Sequence, residues 1–245
     1  MTIKSNHLKP YPQALAWSDT ETGGLNGIQT LKDGTRVNGA EYYPILEVAI
    51  MLPVTNENGL VELFDVPAFN VGIKMTQERM DRMDDWPLTQ HTNSGLLERL
   101  KSGEGFDYLA ATTEEAEIKL IEWLEINGVS TFDSKAGTGA ILCGNNVGFD
   151  LSFIDAQMPK LARYFHYRKG DVSAVNIFSR SPLWKHTGLT GIDKKGAHTA
   201  LSDITESVLE MNAYTQVINE LLWYKEQAQK AGIMYPGISR NDVFD

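Results

Sequence analysis

Apolar and polar residues alternate in short blocks through the first third of the chain, then settle into longer stripes at helical spacing. Residues 13–18 (QALAWS) have the make-up of a strand running into a polar stretch, and ILEVAIMLP and GLVELFDVPAF predict the next two strands, with NENG as the turn between them. Residues 26–43 are an excursion in which Asp33-Gly34 sits among alternating positions, a hairpin signal. From Thr76 the period changes, and TQERMDRMDDW and SGLLERLKSG predict short helices, with Met80 and Met83 facing the core. Thr112 and Glu115 have the spacing of a capping box opening TTEEAEIKLIEWLEING, where Ile118, Leu120, Ile121 and Leu124 form the apolar stripe and Gly128 ends the helix. KAGTGAILCGNN predicts a loop and a short buried strand, and DLSFIDAQM a helix that Pro159 bends or stops. YFHYRKGDVSAVNIF mixes a strand-like opening with a helical end, and a last long helix runs from about Leu201 into the 220s.

Strands first and helices later predict an α/β domain around a mixed sheet. Residues 1–12, polar with Pro10 and Pro12, predict a mobile lead-in. Residues 13–218 form one domain carrying the 26–43 insertion, and 219–245 a helical extension and polar tail. The 245 residues show no linker-like tract and no internal repeat, and 42% hydrophobic content suits an ordinary buried core.

Charge narrows the function. A net charge of −10 leaves little surplus lysine or arginine for the basic groove that grips a long nucleic-acid backbone. A nucleic-acid substrate is therefore expected to be short and held by metals, stacking and end recognition. The single cysteine, Cys143, excludes an internal disulfide and suits a reducing cytoplasm. The first residues lack the apolar core of a signal peptide, and the best apolar run, YYPILEVAIMLPV, is short and carries Glu47, so no membrane span is expected.

The chemistry lies in acids. Asp19 and Glu21 are two apart, so on a strand their side chains leave by one face. Asp150 follows a turn-like Gly-Asn-Asn stretch, and His198 and Asp203 frame the start of the last helix. On one helix those two would sit roughly 140° apart. They converge only if His198 lies in the preceding loop and Asp203 on the first turns. Four acids and one histidine suit hard, oxygen-preferring Mg²⁺ or Mn²⁺ rather than zinc. Two such ions about 3.5–4 Å apart are what phosphodiester hydrolysis needs, and a histidine titrating near neutrality suits the general base. Each piece alone has a blander reading. A D-x-E is more often a solvated polar face, and an Asp after Gly-Asn-Asn is usually a turn or a helix cap. Their joint occurrence carries the signal.

At these positions the chain resembles the DEDDh exonucleases, whose motifs match DTE, NNVGFD and HTALSD in order. MDRMDDW, HTNSGLLERL, YFHYRKGDVSAV and AHTALSDITESVLEMNAYTQ further resemble the oligoribonuclease branch, over roughly residues 14 to 218. The resemblance implies an RNase H-like fold with a mixed five-stranded sheet flanked by helices. It implies a homodimeric 3′-to-5′ exonuclease that finishes RNA turnover on very short oligoribonucleotides. It also implies that Asp19, Glu21, Asp150 and Asp203 hold two metals and that His198 is the base. Leu25 would wedge and Trp86 stack against bases, while His91 and Ser94 would reach the 3′ nucleotide. Tyr167 and Arg168 of the neighbouring subunit would close over the 5′ phosphate, with Arg168 pairing with Asp171 as the plainer alternative. For Trp86 the plainer alternative is a core residue before Pro87, and for the HTNSGL stretch a loop capping a helix from Ser94.

Three features depart from the branch. Asn146, a position for a phosphate contact, stands where serine is usual; Phe149 replaces a polar residue; and the 26–43 and 219–245 segments are extra. Two other functions fit the same residues: the same chemistry on single-stranded DNA, or a non-catalytic nucleic-acid-binding module.

Overall fold

The computed structural model describes residues 14–192 and 199–233. Its centre is β1 (Ala14–Thr22), which pairs in antiparallel fashion with β4 (Ile45–Met51) and in parallel with β7 (Ala140–Gly144). Beyond β4 lie β5 (Ala68–Ile73) and β6 (Tyr108–Ala110), and beyond β7 lies β8 (Phe165–Asp171), giving the order β6-β5-β4-β1-β7-β8. The sheet is mixed, as expected, but has six strands rather than five. The added strand, β6, is only three residues long and carries no period that a sequence can reveal. Its pairing with the end of β5 places it, and Asp107 N–H donates to Asn70 O at 3.0 Å just before it.

The excursion is a hairpin, β2 (Ile28–Thr30) with β3 (Arg36–Asn38), followed by a single helical turn, α1 (Gly39–Tyr42). GLVELFDV is not a strand. It makes one isolated bridge, Thr55 to Val61, and regular pairing starts at Ala68. Val61, Leu63 and Val66 pack instead in the layer of the last helix, where Asn212 accepts from the Val61 N–H at 2.8 Å and donates a hydrogen bond to Val61 O. That side-chain clamp satisfies backbone that a strand would have paired.

The helices cover both faces. α5 (Thr113–Ile126), α6 (Val147–Gln157) and α7 (Pro159–Ala162) bury Leu120, Leu124, Phe153 and Ile154 against Ala16, Val48, Val71 and Leu142. On the other face α8 (Val172–Arg180) and α9 (Ala200–Lys230) set Val172, Ile204 and Val208 against Trp17, Ala49 and Cys143. Ala16 and Trp17, adjacent in β1, therefore face opposite layers, as the pleat requires. A smaller group of α2 (Gln77–Asp81), α3 (Asp85–Asn93) and α4 (Leu96–Ser102) packs Met83, Leu96 and Leu100 on Leu46.

The Thr112 cap forms, its Oγ1 accepting from Glu115 N–H at 3.2 Å, but Glu115 reaches back to Ala111 N–H rather than to Thr112. In α5 the buried stripe is Ala116, Glu117, Leu120 and Leu124, whereas Ile118 is exposed, because the helix turns Glu117 inward to take the Lys160 and Leu161 N–H groups. α9 passes through residue 218 without a break, so the extension begins as helix. Among the described residues no helix is long and apolar enough to cross a membrane.

Candidate active site

β1 carries Asp19 and Glu21 on the face that looks toward α9, the same face as Trp17. Asp203 lies in the first turn of α9. One carboxylate oxygen from each of these three residues lies within 4.8 Å of the others, although Asp203 is more than 180 positions from β1 in the chain. The helix placement expected for Asp203 is therefore present. His198 lies outside the described residues; its neighbour Thr199 is the N-cap of α9.

Asp150 reaches β1 from the first turn of α6 and is buried. Its Oδ1 accepts from Thr20 N–H at 2.8 Å and from Thr20 Oγ1 at 2.7 Å, which fixes the carboxylate beside the other acids. The chain gets from β7 to α6 by passing close to β1. A Cβ on Gly144 would come within 2.7 Å of Ser18 O, so only glycine fits there.

Crowding and burial together disfavour ionisation. Burial, then the neighbouring charges of Asp150, Glu21, Asp203 and Glu47, lift Asp19 well above the usual carboxyl range. Burial pushes Glu21 up to about 8, with Glu47, Asp203 and Asp150 adding to the shift and Arg99 opposing it. Burial moves Asp150 to about 6, held back by its two Thr20 hydrogen bonds. A divalent ion among them would reverse the preference by stabilising every carboxylate around it. The oxygen-only donor set and its spacing fit a divalent metal.

The expected substrate residues fall into three places. Leu25 and Trp86 are exposed, at 58% and 68%, so Trp86 is not a core residue. A Cβ on Gly24 would strike the Tyr43 ring at 2.4 Å, so the glycine lets the TGGL turn lie flat and project Leu25. Asp84 N–H donates to Gly23 O at 2.8 Å, tying that turn to the start of α3 and hence to Trp86. Lys32 of the insertion meets Asp85 at 2.6 Å, beside the same pair.

His91 is buried, with Nε2 3.0 Å from Thr22 O and Nδ1 3.8 Å from Glu21 Oε2, which sets it against the acid cluster. Ser94 is the C-cap of α3, and Gly95, not Ser94, holds the N-cap of α4. Asn146 is exposed in a left-handed conformation ahead of α6, its N–H shared between Asp171 Oδ1 and Ser173 Oγ. Phe149 packs on Phe153 at 5.1 Å between ring centres. Tyr167 and Arg168 lie exposed on the edge strand β8, with the guanidinium 5.5 Å from the Tyr167 ring.

Thr20, Glu47 and Arg99 belong to this region and were not singled out by sequence as site residues. Glu47 had a visible signal, one acid in an otherwise apolar strand.

The acids gather at one end of the central strand, with Asp150 brought from α6 on one face of the sheet and Asp203 from α9 on the other, an arrangement suited to holding a divalent cation. The oligoribonuclease of Vibrio campbellii is 33% identical over 209 residues, covering 84% of this chain and 96% of the relative. That of Yersinia enterocolitica is 36% identical over 202 residues, 82% of this chain and 93% of the relative. The chain belongs to the oligoribonuclease family. No family model matches the sequence. The RNase domain of the yeast Pop2 protein superimposes with a TM-score of 0.49 at 13% identity, over 84% of this chain and 76% of that one.

Proposed function

We propose that this metal-dependent 3′-to-5′ exoribonuclease shortens oligoribonucleotides of a few residues to 5′-mononucleotides, with Mg²⁺ or Mn²⁺ held two per site. The observation that carries this reading is the convergence of Asp19, Glu21 and Asp203 within 4.8 Å in a member of the oligoribonuclease family. Asp19, Glu21 and Asp203 would hold one ion, and Asp19 together with Asp150, which Thr20 fixes in place, would hold the other. When bound, the ions would polarise the attacking water and offset charge gathering on the phosphoryl oxygens. His198, next to Thr199 in the chain, would accept a proton from the attacking water.

The substrate's bases lie between Leu25 and Trp86, where stacking is worth about 1–3 kcal/mol per base and is indifferent to sequence. His91, Ser94 and Asn146 bound the 3′ end. Tyr167 and Arg168 close over the 5′ phosphate of a substrate in the neighbouring subunit of a homodimer. Register sets both residues apart from the acids of their own subunit. Lys169 is level with Leu142, and Leu142 with Ala16, so Arg168 sits two strands across and about four residues back from Asp19. That is on the order of 16 Å, farther than an arginine side chain spans. A cytoplasmic location suits RNA turnover and the single buried thiol, Cys143.

The test is turnover of 5′-labelled RNA dinucleotides against a single-stranded DNA of about twenty nucleotides, with Mn²⁺ and with EDTA. Faster loss of the dinucleotides, abolished by EDTA, is expected. Faster loss of the DNA would instead assign the enzyme to repair or proofreading.

A further inference from the structure

We propose that Glu47 and Arg99 form a charge pair behind the metal-binding acids and set the affinity of the site for divalent cations, with Glu47 as a positioning residue and Arg99 as its counter-charge. The proposal rests on the metal-binding reading given above. Glu47 lies directly across from Glu21 in the β1–β4 register, so the two carboxylates share a face. Like charges placed opposite one another destabilise a sheet. Glu47 is also completely buried, and its polar neighbours, the Asn70 side chain and the Ala200 N–H, stand close to its carboxylate without reaching good hydrogen-bond geometry.

Nothing in the packing of β4 asks for an acid. Its other residues, Ile45, Leu46, Val48, Ala49, Ile50 and Met51, are all apolar and buried. A leucine or methionine there would avoid the cost of burying a carboxylate that its neighbours compensate only in part. A residue that burdens the empty fold in this way has a natural use where a cation binds.

Arg99 supplies part of the compensation. It reaches from α4, lies across the Phe106 ring at 5.0 Å, and brings Nη2 to 3.6 Å from Glu47 Oε2, beyond hydrogen-bond range for a buried pair. Asn70, Arg99 and the Ala200 N–H all lower the Glu47 pKa against the effect of burial. Ala200 is the first residue of α9, whose N-cap Thr199 makes no side-chain cap bond, so Glu47 also faces the start of the helix that presents Asp203. Glu47 adds negative charge beside Glu21, and Arg99, 3.6 Å from it, offsets that charge.

The two residues should therefore act on metal affinity with opposite signs. Mn²⁺ binding to the full chain is measured at pH 8 by the loss of free-ion EPR signal, alongside the rise in melting temperature on adding Mn²⁺. Glu47→Gln is expected to bind Mn²⁺ about 10–100-fold more weakly, the usual effect of altering a group just behind the ligands. Glu47→Asp, which keeps the charge, should recover most of the affinity. Arg99→Met should melt lower without metal yet bind Mn²⁺ several-fold tighter and show a larger metal-induced rise. A purely structural pair would lower the melting point of each variant and leave Mn²⁺ affinity untouched, which overturns the proposal. Weaker binding by Arg99→Met overturns it too, and this arm decides the matter if Glu47→Gln does not fold. If the unaltered protein binds no Mn²⁺, the metal reading itself has failed.

Discussion

Replacing Glu21 with glutamine should stabilise the metal-free protein while removing its activity. The reason is the protonation of Glu21, whose pKa rises from the ordinary 4.5 to about 8 in the folded chain. Between those values the folded protein holds a proton that the unfolded chain has released, so stability falls as pH rises through the window. At 1.36 kcal/mol per tenfold change, the accumulated penalty is roughly 3 kcal/mol at pH 7 and roughly 5 kcal/mol at pH 9. Glutamine has the same shape and carries no such penalty. Neighbouring acids will readjust when one charge goes, so about half the pH 9 figure is a fair expectation. For a chain of this size 1 kcal/mol corresponds to about 2–4 °C, so Glu21→Gln should melt roughly 5–10 °C above the unaltered protein in EDTA at pH 9. The gain should shrink toward zero near pH 5. Differential scanning calorimetry from pH 5 to 9 in EDTA measures it. A variant melting at or below the unaltered protein at pH 9, or a gain independent of pH, would refute the reasoning. The same substitution should weaken Mn²⁺ binding, so added metal should reverse the order of stabilities.

Asp19→Ala and Asp203→Ala should each lower kcat for RNA dinucleotides by at least about 10³-fold, since each removes an ion's ligand; a loss under tenfold in either would displace that residue from the metal site. His198→Ala should cost about 10²–10⁴-fold, and a rate unchanged across pH 6–9 would remove it as the base. Trp86→Ala should raise KM about 5–150-fold, the worth of one stacked base, with far less change in kcat. Arg168→Ala should harm 5′-phosphorylated dinucleotides more than longer chains, and equal loss at every length would count against a 5′-capping role.

Local signals in the chain were strong wherever a structural period ran long enough. The strand through Asp19, the Asp33-Gly34 hairpin, the Thr112 cap and the helix through Asp203 all follow from residue pattern. GLVELFDV misled because alternating apolar residues describe any half-buried extended segment, and the Asn212 clamp rather than a neighbouring strand took its backbone. Ile118 misled because a stripe at spacing three and four has two possible edges, and the inward turn of Glu117 chose the other one. β6 was invisible because three residues carry no period, and only the edge of β5 gives them a place. Trp86 could be read from sequence as core or as stacking surface, and its exposure separates the two.

By itself the sequence determined the inventory: an acid-rich, cysteine-poor α/β chain whose DTE, NNVGFD and HTALSD segments carry the donors for hard cations. Only the tertiary structure decided which oxygens meet, because convergence depends on strand order and on the end of the sheet at which each helix begins. It also placed Glu47. In the sequence that residue is an acid interrupting an apolar run; in the fold it lies across from Glu21 and 3.6 Å from Arg99, beside the acid cluster. Electrostatic interaction depends on distance through space, and residues 21, 47, 99 and 203 come near one another only when the helices have packed on the sheet.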